Sequence, residues 1–295
     1  MALNAVTFRT RAITALVFVV IMVLGLFWNQ WSFLILFSVI HFGCWTEYQR
    51  LVGLIDPGYT QITTFHKYGV MLAGWCIMLY FTKDIYTIGS ISLHIIGYWG
   101  GLILLFVLPA LEILFVQKLN FKNIGHSLLG LLYISLSLGL LMNLGSTRGM
   151  FSNTFMNFVD RLPVLITIGA IWVNDTMAYI MGSLIGKTPM TSISPKKTWE
   201  GTISGIILSI VIMGGVIGYV IDDFDLGTIL QWVIIAAIAS IVGTFGDLFE
   251  SKLKRLAGVK DSGNIMPGHG GFLDRFDSLL FAAPFVWLYV VLFID

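Results

Sequence analysis

A chain of 295 residues that is 57% hydrophobic and only 11% charged, with a mean hydropathy of +0.88, lies far from the roughly 25% charged residues of a soluble domain. Such a chain suits a bilayer, where helices of about 20 apolar residues satisfy their backbone hydrogen bonds internally, so the sequence predicts one all-α, polytopic integral membrane bundle over residues 1–295. A net charge of +1 without a nucleic-acid-binding motif excludes a nucleic-acid partner, and Cys44 and Cys76, both in apolar runs, offer neither a disulfide nor a metal pair.

Arg9 and Arg11 precede the first apolar run, but no small-residue cleavage site follows, so the run reads as a retained helix and not as a signal peptide. Nine transmembrane helices are predicted, at about 11–28, 31–50, 68–82, 93–116, 125–145, 162–185, 201–221, 228–249 and 275–294. The third offers only about fifteen apolar residues between Lys67 and Lys83, and has to rely on snorkelling lysines or a thinned bilayer. Of the 17 Lys and Arg, only Lys83, Arg148 and Arg161 fall on one side of this layout. The positive-inside rule then makes the N-terminus cytoplasmic, with Asp295 and the acidic turn Asp222, Asp223 and Asp225 outside. Phe151–Val159 is expected to lie along the outer interface. Residues 1–145 read as scaffold helices with lipid-facing and dimer surfaces. Residues 160–295 contain the two longest polar cytoplasmic loops, 186–200 and 250–274, and are expected to carry any chemistry.

Three clusters of polarity stand out. Asp175, in I-W-V-N-D-T-M-A-Y-I, sits near the middle of the sixth span, where a charge costs about 2.5–3.5 kcal/mol. It reads either as part of an interhelical hydrogen-bond cluster with Asn174 and Thr176 or as one wall of a polar site. Asp247 and Glu250 close the eighth span in F-G-D-L-F-E-S-K-L-K-R, three apart and so on one helical face, with Lys254 on the same stripe. They make either an interfacial helix end, with Lys252, Lys254 and Arg255 addressing lipid head groups, or cation ligands. Asp274 and Asp277 are again three apart where the ninth helix starts, beside Arg275 and after Gly268, Gly270 and Gly271. There an N-cap with an ion pair competes with a site in which four carboxylates hold Mg²⁺ and glycine amides approach the phosphates that accompany it.

The loop T-S-I-S-P-K-K-T-W-E-G, residues 191–201, adds Ser194, Lys196, Lys197 and Thr198 as phosphate donors around Pro195, just before a helix N-terminus. Other motifs fail. G-S-L-I-G-K-T, residues 182–188, is one residue too short for a P-loop and ends a membrane helix. Ser278 stands where the aspartate motif of CDP-alcohol phosphotransferases demands glycine. His41, His66, His94 and His126 have no ligand spacing and read as packing or interface residues.

The run S-K-L-K-R-L-A-G-V-K-D-S-G-N-I-M-P-G-H-G-G-F-L-D-R-F-D, residues 251–277, resembles the signature of the phosphatidate cytidylyltransferases, or CDP-diacylglycerol synthases, and the S-P-K-K-T-W-E-G and N-D-T-x-A-Y segments resemble that family's other motifs in the same order. Met177 stands where many members carry glycine. The resemblance covers residues 160–280 in detail and implies that phosphatidate attacks the α-phosphorus of CTP, giving CDP-diacylglycerol and pyrophosphate for phospholipid biosynthesis. It implies Mg²⁺ (with a second metal ion or K⁺ left open) on Asp247 and Asp274, with Asp277 and Glu250 as further ligands and Asp175 beside the substrate. Ser194, Lys197 and Thr198 would form the substrate-facing loop, with Lys196 beside them. Lys197, Arg275, Lys260 and His269 would neutralise phosphates, and Lys254, Arg255, Gly270 and Gly271 would complete substrate binding. A homodimer in the bacterial cytoplasmic membrane, its site open to the cytoplasm, is also implied. The alternatives are a secondary transporter of an anionic solute, with Asp175 on the ion pathway, and a CTP-dependent lipid-alcohol kinase.

Overall fold

The structure, a computed structural model, describes residues 5–115, 120–145, 161–216, 219, 226–264 and 270–294, and of residues 5–12 the backbone alone. His269, Arg148, the acidic turn and Phe151–Val159 lie outside these residues. The described residues form nine helices, one in each predicted span: α1 Ala5–Phe27, α2 Gln30–Ile55, α3 Thr64–Tyr80, α4 Leu93–Phe115, α5 Phe121–Leu144, α6 Leu162–Ile185, α7 Trp199–Val216, α8 Leu226–Leu256 and α9 Leu273–Phe293. The six from α4 to α9 are long and apolar enough to cross a membrane. Of α1 the apolar stretch Ile13–Phe27 is described with its side chains, α3 has 17 residues, and α2 turns polar over Thr46–Arg50. Among the described residues, six of the nine helices meet the length and composition of a membrane span.

Helix ends follow local chemistry. Asn29 caps α2 in a box with Ser32: the Ser32 amide donates to Asn29 Oδ1 at 2.8 Å and the Asn29 amide to Ser32 Oγ at 3.0 Å. Pro57 then opens a 3₁₀ turn, Pro57–Gln61, that cannot continue the helix. A two-residue hairpin, β1 Thr87–Ile88 and β2 Ile91–Ser92, turns at Gly89, whose φ of 64° suits a residue without a side chain. Helix α8 departs most from expectation. It runs on to Leu256, so Asp247 and Glu250 lie within the helix and Lys254 in its last turn. Its 31 residues measure about 46 Å, longer than the roughly 30 Å hydrocarbon core.

The chain forms two compact units, residues 1–146 with 256–276 and residues 147–255 with 277–295. In the first, α2, α3 and α5 share a core in which His41 Nε2 lies 3.0 Å from Ser135 Oγ and Trp45 Nε1 donates to the same oxygen at 2.9 Å. Ser135 belongs to a π-helical stretch of α5, Leu131–Leu136. In the second unit, α6 and α7 cross at backbone contact. A Cβ on Gly201 would lie 2.6 Å from the Ala178 carbonyl oxygen, and one on Gly205 2.7 Å from that of Asn174. Membrane helices associate through such small residues, because lipid tails offer no hydrophobic drive to pair helices.

Gly205→Ala tests this crossing. In an open helix the change gains about 1 kcal/mol. Here the methyl meets backbone, and a net destabilisation of about 1–3 kcal/mol is expected, read as a lowered Tm in detergent; an unchanged or raised Tm would refute the close crossing.

Candidate active site

In the first unit the signature segment is organised by a residue far away in sequence. Glu47, on α2 and 4% exposed, accepts hydrogen bonds from the Phe272 amide at 2.9 Å, the Leu273 amide at 2.8 Å and the Ser262 hydroxyl at 2.6 Å. It thus caps the N-terminus of α9 from another helix, satisfying donors that have no partner within α9 and placing a carboxylate at the positive end of the helix dipole. Asp274 does the complementary work from inside the first turn, its Oδ2 accepting from the amides of Ser262 at 2.9 Å and Gly271 at 2.8 Å. Two glycines of the signature follow from this. A Cβ on Gly263 would stand 2.1 Å from Glu47 Oε1, and one on Gly271 would stand 2.2 Å from the same carboxylate. Gly270 has a φ of 82° and would meet Asp274 Oδ2. The amides around Gly271, which the sequence offered to phosphate, are thus bonded to protein carboxylates. Arg50, one turn beyond Glu47, donates to the Ser262 carbonyl at 3.5 Å. Lys260 and Arg275 are exposed.

In the second unit Asp247, Glu250 and Asp277 converge, with one carboxylate oxygen of each lying within 4.8 Å of the others. Helix spacing supplies the first two, and Gly246 supplies the third. A Cβ at Gly246 would lie 2.7 Å from the Asp277 carbonyl oxygen and 2.6 Å from Phe281 Cβ, so its absence lets α8 and α9 approach. Glu250 and Asp277 are buried, whereas Asp247 is partly open. Lys197 pairs with Asp247, and Lys254 pairs with Glu250 one turn along α8. Ser251 Oγ donates to Asp247 Oδ1 at 3.3 Å, and the Ser278 amide to Asp277 Oδ1 at 2.7 Å. The convergence of three carboxylates makes this cluster suited to a cation. The donors are all hard oxygens, the set that a Mg²⁺-like ion takes.

Beside the cluster lies a cavity of about 310 Å³ whose wall includes Asn174, Asp175, Lys196, Lys197, Thr198 and Asp247. The two readings of N-D-T separate here. Asn174 is buried and makes the interhelical bond, to Thr244 Oγ1 at 3.3 Å, whereas Asp175 is exposed toward the cavity. The loop before α7 is folded on itself: the Met190 amide donates to the Lys197 carbonyl at 2.8 Å and the Lys197 amide to the Ser194 carbonyl at 3.0 Å. Glu200, from the first turn of α7, accepts from the amides of Lys187 at 3.1 Å and Thr188 at 3.1 Å. Thr198 is the N-cap of α7, accepting from the Gly201 amide at 3.2 Å. The result is to hold Lys196 and Lys197 at the cavity. Ser194 is half-buried and is not part of the cavity wall.

Of the expected metal ligands, Asp247, Glu250 and Asp277 come together in the second unit, while Asp274 belongs to the first, where it caps the signature loop. Glu47, Arg50 and Ser262 were not singled out from the sequence. The signal for Glu47 was present: a carboxylate in the C-terminal half of an otherwise apolar helix requires donors.

Residues 9–293 match the Cytidylyltransferase family. Among curated proteins, the chain is 44% identical over 144 residues to a phosphatidate cytidylyltransferase of Synechocystis, covering 46% of each chain. It is 38% identical over 181 residues to that of Staphylococcus haemolyticus, covering 61% of this chain and 64% of the relative, and 46% identical over 110 residues to that of Helicobacter pylori, covering 37% and 40%. These matches span about two fifths to two thirds of the relatives' own lengths.

Glu47→Ala leaves the Phe272 and Leu273 amides without their acceptor, a loss of about 1–3 kcal/mol for each buried donor left unsatisfied. The expected outcome is faster tryptic cleavage at Lys260 in the folded protein, with cleavage elsewhere unchanged; a wild-type cleavage rate at Lys260 would show that the loop does not depend on this cap.

Proposed function

Since the chain belongs to the cytidylyltransferase family, we propose that it is a nucleotidyltransferase that joins phosphatidate to the cytidylyl group of CTP, giving CDP-diacylglycerol and pyrophosphate. The observation that carries this reading is the convergence of Asp247, Glu250 and Asp277 beside a cavity walled by Lys196 and Lys197. The names of the relatives support the substrates. Nothing in the site favours solute transport or phosphorylation of a lipid alcohol by CTP.

The chemistry asks for charge management. A phosphate monoester is already anionic at neutral pH and needs no strong base to attack a phosphorus centre, but two polyanions have to meet and the leaving pyrophosphate gathers charge. In this proposal Asp247, Glu250 and Asp277 hold Mg²⁺, and Asp274 is a further ligand on the ground of the resemblance alone. When bound, the ion neutralises phosphate charge in the ground state and on the leaving group. Lys197, paired with Asp247 at the cavity wall, can exchange that carboxylate for a phosphate oxygen. Lys196 adds a second ammonium from the same loop. Thr198 acts by fixing the loop, and Asp175 orients groups of the substrate that can donate. Ser194, Lys254, Arg255, Lys260, Arg275, His269, Gly270 and Gly271 are proposed contributors to phosphate and head-group binding from their places in the signature and the loop. The site faces the cytoplasm of a bacterial cytoplasmic membrane, and the protein works as a homodimer. The lysine and arginine asymmetry supports that orientation, and the resemblance supports the dimer.

Purified protein with phosphatidate, base-labelled CTP and Mg²⁺ is expected to move label into the lipid phase; label remaining in water as CDP would replace the transferase reading by a kinase. Chelation should stop transfer and added Mg²⁺ restore it. Asp277→Asn, in a bundle of unchanged Tm, is expected to lower kcat by about 100-fold, and wild-type turnover in that variant would remove the metal assignment.

Orientation is open to a separate test. With the buried Cys44 and Cys76 replaced by Ala, a single cysteine at Asn264 should react with membrane-impermeant maleimide from the cytoplasmic face of sealed vesicles, and reaction from the other face alone would invert the topology.

A further inference from the structure

The first unit contains a second cavity, of about 440 Å³, that the proposed transfer does not use. Its wall follows α3 from His66 to Tyr80 and is completed by α4 and α5. Fourteen helical residues span about 21 Å, well over half of the roughly 30 Å hydrocarbon core. The lined wall is therefore long enough to take an extended acyl chain. Small residues line it: Gly101 on α4 faces Cys76 on α3, where an added Cβ would stand in ordinary contact at 3.7 Å from Cys76 Cβ, and Ala73 also lines the space. The lining residues Leu105 and Leu128 are 64% and 55% exposed, which gives the cavity a side opening toward lipid.

One end of this apolar slot is polar. His66 Nδ1 lies 3.2 Å from Glu112 Oε1, His66 Nε2 lies 2.7 Å from Ser127 Oγ, and Ser127 Oγ lies 3.1 Å from the Tyr59 hydroxyl. His66, Glu112 and Ser127 all line the cavity. With a neutral imidazole protonated at Nδ1, Tyr59 donates to Ser127, Ser127 to His66 and His66 to Glu112, so each donor in the chain is directed at the carboxylate. The order matches that of an activated nucleophile. Ser127, however, lies within the regular turns Phe121–Gly130, whose amides serve the helix ladder, so its own helix offers no oxyanion site. The arrangement binds and does not attack.

We propose that this cavity is a lipid site, separate from the transfer site, that takes one acyl chain of a neutral glyceride bearing a free hydroxyl, a diacylglycerol being the membrane form. The chain fills the slot along α3, and the head-group hydroxyl donates to Glu112. Charge decides the head group. A phosphate in the same place would stand against the Glu112 carboxylate, whereas an uncharged hydroxyl supplies the donor that an acceptor-terminated relay takes. The second acyl chain stays in the bilayer at the side opening.

The test compares two photoreactive lipids in nanodiscs containing the full chain: a diacylglycerol with a diazirine on one acyl chain, and a phosphatidate with the same chain. Cross-linked peptides are mapped by mass spectrometry. The diacylglycerol probe is expected to label α3 and α4 between His66 and Pro109 at least about tenfold more than the phosphatidate probe, the factor that a hydrogen bond to a charged group supplies. Ala73→Trp or Gly101→Trp, which fill the slot from opposite walls, should remove this labelling, and Glu112→Leu should bring the two probes within about twofold of each other. Equal labelling by both probes in the wild type, labelling that survives both tryptophans, or a second copy of the chain cross-linked over the slot would overturn the proposal. Labelling needs no turnover, so it stands or falls separately from the transferase reading.

Discussion

A carboxylate inside an apolar helical bundle is tolerated only where donors or cations are built around it. Most of what is distinctive in this chain follows from that constraint. Glu47 is almost fully buried and is matched by two backbone amides and a hydroxyl. The two amides come from the N-terminus of α9, where amide groups are in surplus by the geometry of any helix, and the hydroxyl is that of Ser262 in the loop before it. The need of the carboxylate and the need of the helix end are answered by one contact. The Asp247, Glu250 and Asp277 cluster answers the same constraint by charge, with Lys197 and Lys254 as partners. A set stabilised by hydrogen bonds is fixed, whereas one stabilised by mobile ammonium groups can trade partners, which suits the first to scaffolding and the second to chemistry.

Glycine has a different meaning in this chain from the one a glycine-rich loop first suggests. At positions 201, 205 and 246 its value is thickness: the backbones of neighbouring helices touch where a side chain would stand. At 263 and 271 the space is occupied by the carboxylate of Glu47. Gly270 alone among these has a backbone conformation that favours glycine, with its φ of 82°. The signature run therefore owes much of its glycine content to folding.

The helical layout was legible because apolar runs of this length have few alternatives in a chain so poor in charge, and each expected span holds a helix. What length and hydropathy could not settle was how many cross a membrane: α2 carries Glu47 and Arg50 for packing reasons that a local window reads as a mere loss of apolarity. The cluster was half legible. Spacing of three placed Asp247 and Glu250 on one face, but joining them to Asp277 needed Gly246, whose role is visible only once two helices are in contact. Asp274 and Asp277 looked equivalent in sequence. Their surroundings differ, Asp274 serving the Ser262 and Gly271 amides and Asp277 joining the carboxylates of α8. Histidine spacing was silent on tertiary partners. His66 has no partner near it in sequence, yet folding sets it between Glu112 and Ser127, 46 and 61 positions away.

The loop before α7 shows why the lysines of the site need a scaffold of their own. A lysine side chain is long and flexible, and left on a solvated loop it would spread its charge over many positions. Here the loop is tied at three levels: Thr198 caps α7, Glu200 reaches back to the Lys187 and Thr188 amides, and the Met190 and Lys197 peptides pair across the turn. Each tie uses a group from the loop or the first turn of the helix, so the loop and α7 form one local unit. The ammonium of Lys197 is then held against Asp247, across from a loop that can move little. In the proposed transfer the loop that carries Lys197 is ordered in advance, so less of a phosphate's binding free energy is spent on ordering backbone than a free loop would demand, while the ammonium itself stays able to trade Asp247 for a phosphate oxygen.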